Sequence, residues 1–265
     1  MAGPAFLQCP ECKSDVDLCG NTLVCPQCGY CSVPNQAVVD NCPVSLLRAP
    51  HQLAVELSKG FAIIRSFMHV CVRRFVRPTG CYIDLGSGKN PSYYQYLKDY
   101  DFEYVTADGN SKSDPDILMD LELRFPFREE TFDGVLLFNV LEHVYDYRHV
   151  LDEIHRILKK GGKLYIVVPY HIKIHGSPLD YFRYTHYSLH RLLSDAGFRD
   201  ISIYAGGGWF QFLSELFSWL PKLGARYVLY PLCLTLCGFD FLISKISKGK
   251  FAYSLPVGYF VECSR

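Results

Sequence analysis

The sequence of 265 residues has no surplus of charge of either sign: Lys+Arg and Asp+Glu number 27 each, and the pI is near 7.1. Domains that coat nucleic acid through bulk charge are strongly basic, so that class is disfavoured, while a local basic patch stays open. Hydrophobic residues make up 49% and charged residues 20%, which is not the low-hydrophobicity, high-charge composition of a disordered chain. No uncharged apolar run reaches the ~20 residues that a membrane-spanning helix needs. The start, Met1 to Gln8, has no basic stretch leading into an apolar one, so it predicts no secretory leader and a cytoplasmic, reducing setting. There is no G-x-x-x-x-G-K-[ST] phosphate loop. A [DNS]-P-P-[YF] element, the usual signature for methylating exocyclic amines of DNA bases, is also absent.

Cysteine is plentiful but uneven: of 12 in the chain, most fall between Cys9 and Cys42. In a reducing setting such a cluster points to metal rather than to disulfides. Cys9-Pro-Glu-Cys12 and Cys25-Pro-Gln-Cys28-Gly29 are two C-x-x-C pairs separated by a hairpin-sized stretch. They predict a zinc ribbon over residues 1–43, with Cys9, Cys12, Cys25 and Cys28 as four thiolate ligands of a closed, structural Zn²⁺ site. The alternative is two structural disulfides. Cys19, Cys31 and Cys42 are not expected to be ligands. The segment has few large apolar groups, so metal binding would supply its folding energy.

Residues 44–79 read as a helical connector. Leu53, Val55, Leu57, Phe61, Ile64, Phe67, Met68 and Cys71 roughly follow helical spacing. Arg48, Lys59, Arg65, Arg73, Arg74 and Arg77 stand against one acid, Glu56, which leaves a basic face toward RNA or anionic lipid as the sharper reading.

From Gly80 onward strands alternate with helices, which predicts an α/β fold with a parallel sheet. Cys81 to Leu85 is a short buried strand that runs into Gly86-Ser87-Gly88-Lys89-Asn90. Asn90 followed by Pro91 predicts a helix starting there. Pro91 occupies the third glycine position of a dinucleotide loop, and Asp84 would repel a pyrophosphate but suit an ammonium or sulfonium. A second strand, Tyr104 to Ala107, ends at Asp108, about 20 residues after the glycines, where a carboxylate reaches ribose hydroxyls. Val150, Leu151, Ile154, Ile157 and Leu158 form an apolar helical stripe. Arg156, Lys159 and Lys160 suit its last turn, and Gly161 is expected to close the helix. Lys163 to Pro169 predicts a buried strand.

Taken together, Asp84-Leu85-Gly86-Ser87-Gly88, Asp120-Leu121-Glu122 with Phe125-Pro126-Phe127, Phe132-Asp133 through Leu141-Glu142-His143-Val144, and Glu153 to Gly162 are collinear with the motifs of another group. The chain resembles the class I S-adenosylmethionine-dependent methyltransferases over about Gly80 to Phe198 and again in the last dozen residues. The resemblance implies a seven-stranded Rossmann-like methyltransferase sheet over 80–265 with the last strand antiparallel. It implies that Gly86 and Gly88 approach the methionine part of S-adenosyl-L-methionine, that Asp108 holds the ribose and Asp120 the adenine amine beside Leu121, and that Asn139 lines the methionine side. Asp84 joins them as the cofactor's anionic neighbour.

Methyl transfer from a sulfonium is mainly a matter of positioning, and a hydroxyl acceptor also needs a base. His143 is the first candidate for that base. The stretch Tyr170–Tyr187, with His171, His175, Asp180, Tyr181, Arg183, Tyr184 and His186, falls at the expected ligand crevice and supplies the substrate candidates. Glu142-His143 resembles part of the E-x-x-E-H element of quinone O-methyltransferases. Asn139 replaces its first Glu, so no catalytic metal is expected. Residues 206–248 are rich in Trp, Phe, Leu and Tyr and read as a hydrophobic helical insertion before the last strand, Gly258 to Cys263. It would be a lid, a dimer face or a peripheral membrane contact. The leading reading is a methyltransferase acting on a small or lipid- or sugar-linked acceptor. The alternatives are an RNA methyltransferase, whose ribbon and basic connector would meet phosphates, and a non-catalytic partner protein.

Overall fold

In a computed structural model of the chain, the described residues are 9, 11–15, 17–19, 22–29, 42, 44–47, 49–59, 62–208, 235, 238–239, 242–243, 246 and 255–265. They divide into two compact units, Met1–Cys42 and Pro43–Arg265. In the first, β1 (Asp17–Cys19) and β2 (Thr22–Val24) form an antiparallel hairpin between the two Cys-x-x-Cys segments.

The second unit opens with β3 (Val44–Leu46), α1 (Pro50–Ser58) and α2 (Ile63–Phe75). It continues with β4 (Gly80–Leu85), β5 (Phe102–Asp108), β6 (Ile117–Leu118), β7 (Phe132–Phe138), α3 (Tyr147–Ile157), β8 (Leu158–Pro169), α4 (His186–Asp195), β9 (Arg199–Gly206) and β10 (Gly258–Ser264). These strands make one sheet in the order β3-β9-β10-β8-β7-β4-β5-β6. β10 is antiparallel to both its neighbours, and the remaining pairs are parallel. From β4 the chain builds outward in one direction through β5 and β6, then returns to place β7 and β8 on the other side. Strand order therefore reverses between β4 and β7, which opens a crevice at their carboxyl ends.

The α/β sheet has eight strands where seven were expected. The additional one is β3, drawn from the segment read as a helical connector. Val44, Ser45 and Leu46 pair in parallel with Ile203, Tyr204 and Ala205 at the free edge of β9. Rather than linking two bodies, 44–79 is built into the sheet unit. α2 buries Ile63, Ile64, Phe67, Met68, Cys71 and Val72 against Tyr82, Leu136, Phe138, Val167 and Phe260 of the sheet. Each such large side chain contributes about 1.5–3 kcal/mol on burial, so the apolar stripe of 63–72 outweighs the pull of its arginines toward solvent. Arg73 and Arg74 fall in the last turn. The Arg77 guanidinium donates to the carbonyls of Arg73 and Val76 at 3.0 and 2.9 Å, satisfying acceptors that a helix end leaves open.

Two local expectations are corrected. No α-helix starts at Pro91. Asn90 has φ +54°, outside the extended conformation of an N-cap, and only a 3₁₀ turn, Tyr94–Tyr96, follows. Secondly, α3 ends at Ile157, four residues before Gly161, and β8 begins at Leu158 rather than Lys163. The carbonyls of Arg156 and Ile157 accept the amides of Glu130 (3.0 Å) and Thr131 (2.8 Å), and Leu158 is already paired with Phe132 of β7. Tertiary partners thus take the bonds that a further helical turn would have made. The apolar stripe itself is buried throughout.

Of the 206–248 stretch, 209–234 and most of the rest lie outside the described residues. Thr235, Gly238, Phe239, Leu242, Ile243 and Ile246 are helical. Among the described residues no helix is long and apolar enough to cross a membrane.

Candidate functional site

A cavity of about 690 Å³ opens at the carboxyl ends of β4, β5 and β7. Gly86 comes from the turn after β4, Asp108, Gly109 and Asn110 from the end of β5, and Leu118 to Glu122 from β6 and the loop beyond it. Val140, His143 and Val144 follow β7, and Leu179 with Tyr181 comes from the loop after β8.

The acidic residues on this wall are held by backbone amides. Asp108 accepts from the amides of Gly88 (2.8 Å) and Asn110 (2.7 Å), so it straps the glycine turn to the end of β5. Asp120 accepts from Glu122 N at 2.9 Å. The loop 120–128 is in turn clamped to α3: Glu153 accepts from Phe125 N at 2.8 Å, and Arg156 donates to Glu153 and to the carbonyls of Phe125 and Phe127. The Arg156 guanidinium holds the Glu153 carboxyl down at about 2.

Asp84 is fully buried and does not line the cavity. It accepts hydrogen bonds from the Tyr93 hydroxyl at 2.7 Å and from the Tyr104 hydroxyl, and its Oδ1 has no partner. Burial pushes its carboxyl up to about 7 despite the two hydroxyls. Asn139 is likewise off the cavity wall. Its Nδ2 lies 3.7 Å from Met68 Sδ of α2, and its buried Oδ1 has no partner. The sequence reading thus put Asp84, Gly86, Gly88, Asp108, Asp120, Leu121 and Asn139 at one site. The structure sets four of them on the wall, with Gly88 bonded to one of those four. Met119 and Leu179, which no motif singled out, also lie on the wall, as do Val140 and Val144 from the segment after β7.

His143 is on the wall, but both its nitrogens are engaged. Nδ1 meets the Leu179 carbonyl, and Nε2 faces His175 Nε2 at 3.1 Å. A free imidazole base is not what this arrangement presents. Around it the loop after β8 is tightly fastened. The amides of Tyr181 and Phe182 donate to the Glu142 carbonyl (2.9 and 3.2 Å). Asp180 accepts from His175 N at 2.9 Å and pairs with both terminal nitrogens of Arg183 at 2.6 and 2.8 Å. The guanidinium holds the Asp180 carboxyl far below its usual range. Tyr184 is buried and donates to the Leu141 carbonyl at 3.2 Å, which makes it an anchor for the turn that carries His143. His171 and His186 stand outside the cavity wall, and burial lowers the pKa of each. Of the loop's substrate candidates, Tyr181 alone lines the cavity among the described residues.

In the N-terminal unit, Cys9, Cys12, Cys25 and Cys28 offer four Sγ atoms within 4.8 Å of one another. The pairs Cys9–Cys28 and Cys12–Cys25 stand at 3.5 Å, well beyond the ~2.05 Å of a disulfide bond, so none of the four is in a disulfide. With Zn–S bonds near 2.3 Å, a tetrahedral site has S–S edges of about 3.8 Å, so the cluster fits such an ion. The Ser14 hydroxyl, the largest influence on Cys25, helps to bring its thiol down to about 6, which favours the thiolate that binds metal.

Residues 83–166 match the family model described as methyltransferase domain. An uncharacterized protein of Methanocaldococcus jannaschii is 40% identical over 91 residues, 32% of this chain and 39% of that one. A demethylmenaquinone methyltransferase of Alkalihalophilus pseudofirmus is 48% identical over 42 residues, 16% of this chain and 18% of its own. The matches thus span well under half the length of these curated relatives. Among solved structures, a SAM-dependent methyltransferase from Archaeoglobus fulgidus superimposes with a TM-score of 0.52 at 17% identity, covering 76% of this chain and 94% of that one. With the strand order, the glycine turn and the acidic residues at the ends of the strands already in place, the second unit has a Rossmann-like methyltransferase fold whose residues 83–166 match the methyltransferase domain model.

Proposed function

We propose that the chain transfers a methyl group from S-adenosylmethionine to a small or lipid- or sugar-linked acceptor. The observation that carries this reading is the cavity at the point where strand order reverses, with Asp108, Asp120 and Leu121 on its wall. Asp108 would hold the ribose hydroxyls, and Asp120 with Leu121 the adenine. Gly86 keeps the turn flat beside them, and a side chain at Gly88 would project into open space, so the turn leaves room for the group. The cofactor supplies an already activated methyl group, which leaves the chain's residues to position the acceptor and exclude water. Leu179 and Tyr181, 52% and 42% exposed, put apolar surface at the cavity, which favours an acceptor with an apolar portion. The four thiolates of the N-terminal unit would bind one structural Zn²⁺.

Replacing Asp108 with Ala is expected to weaken S-adenosylhomocysteine binding by about 1–3 kcal/mol, the loss of charge-assisted hydrogen bonds. Calorimetry measures it, and unchanged affinity would remove Asp108 from the site.

Asp84 yields a prediction with a definite sign. Its carboxyl is buried off the cavity wall with a pKa near 7, so the sheet unit is expected to be more stable at about pH 4 than at about pH 7 from this group, as read by urea denaturation of the wild type against Asp84→Asn; identical pH profiles of the two would overturn it. A raised carboxyl pKa withdraws stability as pH climbs from about 4 through 7.

A further inference from the structure

The cluster of Glu142, His143 and His175 is not accounted for by cofactor binding. Glu142 is fully buried, and neither of its carboxylate oxygens has a hydrogen-bond partner. A buried carboxylate that stays ionised needs a compensating positive charge. Its Oε1 lies 3.8 Å from His143 Nε2 and 3.7 Å from His175 Nε2, and those two nitrogens are 3.1 Å apart. A triangle with these sides has its centre about 2.1 Å from each corner, which is the bond length of a divalent metal to imidazole nitrogen and carboxylate oxygen.

One outer contact orients a lone pair inward, and a carboxylate stands behind the second ring. His143 Nδ1 is directed at the Leu179 carbonyl, which accepts its proton and leaves Nε2 as an acceptor. His175 Nδ1 lies 3.5 Å from Asp180 Oδ2, and Asp180 is itself held by Arg183. A carboxylate or carbonyl behind each imidazole is the usual support of a metal-bound histidine. The two Nε2 atoms, 3.1 Å apart, share one proton in the ion-free protein, and a metal ion placed between them would take over that proton's role. The ring of His143 also fits closely against the loop, since a Cβ on Gly176 would stand 2.8 Å from its Cε1.

We propose that Glu142, His143 and His175 bind a divalent first-row transition-metal ion. Two imidazoles with one carboxylate suit such an ion better than Mg²⁺ or Ca²⁺, which prefer all-oxygen shells. Positions off the ligand plane stay open to water or to an oxygen of another molecule. Because His143 is part of the cavity wall, the ion sits at the cavity edge. Its use there, to hold an oxygen of the methyl acceptor, rests on the methyltransferase reading, whereas binding of the ion does not.

The test is a Co²⁺ titration of the metal-stripped full chain, followed by absorption and by the number of ions retained. Cobalt on the four thiolates shows a sulfur-to-metal charge-transfer band, and cobalt on nitrogen and oxygen ligands does not. The wild type is expected to hold one ion without that band, and His175→Ala and Glu142→Gln to lose that ion while the sulfur band stays unchanged. His175 is in a loop and its side chain is 28% exposed, so the first variant is compatible with folding. Unchanged S-adenosylhomocysteine binding in calorimetry certifies its fold. A wild type with no band-free ion, or variants that retain it, would overturn the proposal. Failure of the wild type to bind S-adenosylhomocysteine would overturn the methyltransferase reading and leave the cobalt result standing.

Discussion

Replacing Cys25 with Ser is expected to unfold the N-terminal unit and to release one zinc ion per chain. Among its described residues, the buried apolar side chains of this unit are those of Cys9 and Cys25 themselves. Its regular structure is a hairpin of two three-residue strands, and an isolated hairpin is at best marginally stable in water. What remains is the cluster of four sulfurs. Zinc on four thiolates contributes on the order of 10–16 kcal/mol, far more than the hairpin's hydrogen bonds supply. Serine keeps the size of the side chain but offers no thiolate, so the tetrahedron is left with three soft ligands. The measurement is the ¹H–¹⁵N spectrum of the full chain together with its metal content. Amides of residues 9–29 should collapse to unfolded positions in the variant, and in the wild type on treatment with a strong chelator, while those of the sheet unit stay dispersed. A metal-free chain whose amides at 9–29 remained dispersed would refute the zinc assignment.

Gly86→Ala is expected to destabilise the sheet unit by about 2–5 kcal/mol and to weaken cofactor binding. Two effects combine. Gly86 has φ +70°, a conformation that costs a residue with a side chain about 1–2 kcal/mol. The added Cβ would also stand 2.5 Å from Cγ2 and 3.1 Å from Cγ1 of Val140, and overpacking of this kind costs about 1–3 kcal/mol. Relief by a shift of the turn is opposed by the bond from Gly86 N to the Ala107 carbonyl at 2.7 Å. The two contributions are separable. Adding Val140→Ala should recover the packing part and leave the backbone part, as read by urea denaturation of the single and double variants. A Gly86→Ala chain within about 0.5 kcal/mol of the wild type would show that the turn yields freely, contrary to this packing.

The motifs visible in the sequence were those whose meaning is local. A strand running into Gly86-Ser87-Gly88 and a second strand ending in Asp108 need few distant residues to be recognised. Their consequence, Asp108 bonded to the Gly88 amide, is a contact across 20 positions that the spacing already implied. Cys-x-x-Cys pairs are legible for the same reason, because each knuckle forms within five residues. Side-chain direction was less legible. Asp84 and Asn139 sit next to the cavity in sequence, but their carboxyl and amide groups turn toward Tyr93, Tyr104 and Met68. Periodicity alone does not say which face of a strand end looks into a crevice. Asn139 in place of a glutamate leaves the stretch after β7 with two candidate ligands, and the third member of that cluster, His175, comes from another stretch, 32 residues beyond His143.

By itself, then, the sequence determined the strands around Cys81–Leu85 and Tyr104–Ala107, the glycine turn, Asp108 at its strand end and the Cys-x-x-Cys pairs, because each rests on bonds and packing between near neighbours. Only the tertiary structure decided that Val44–Leu46 would become an eighth strand and that α3 would stop at Ile157. The same holds for the meeting of Glu142, His143 and His175 around one point. Those outcomes depend on which distant backbone edge or side chain is available to satisfy a hydrogen bond or a buried charge, and that is settled when the sheet closes.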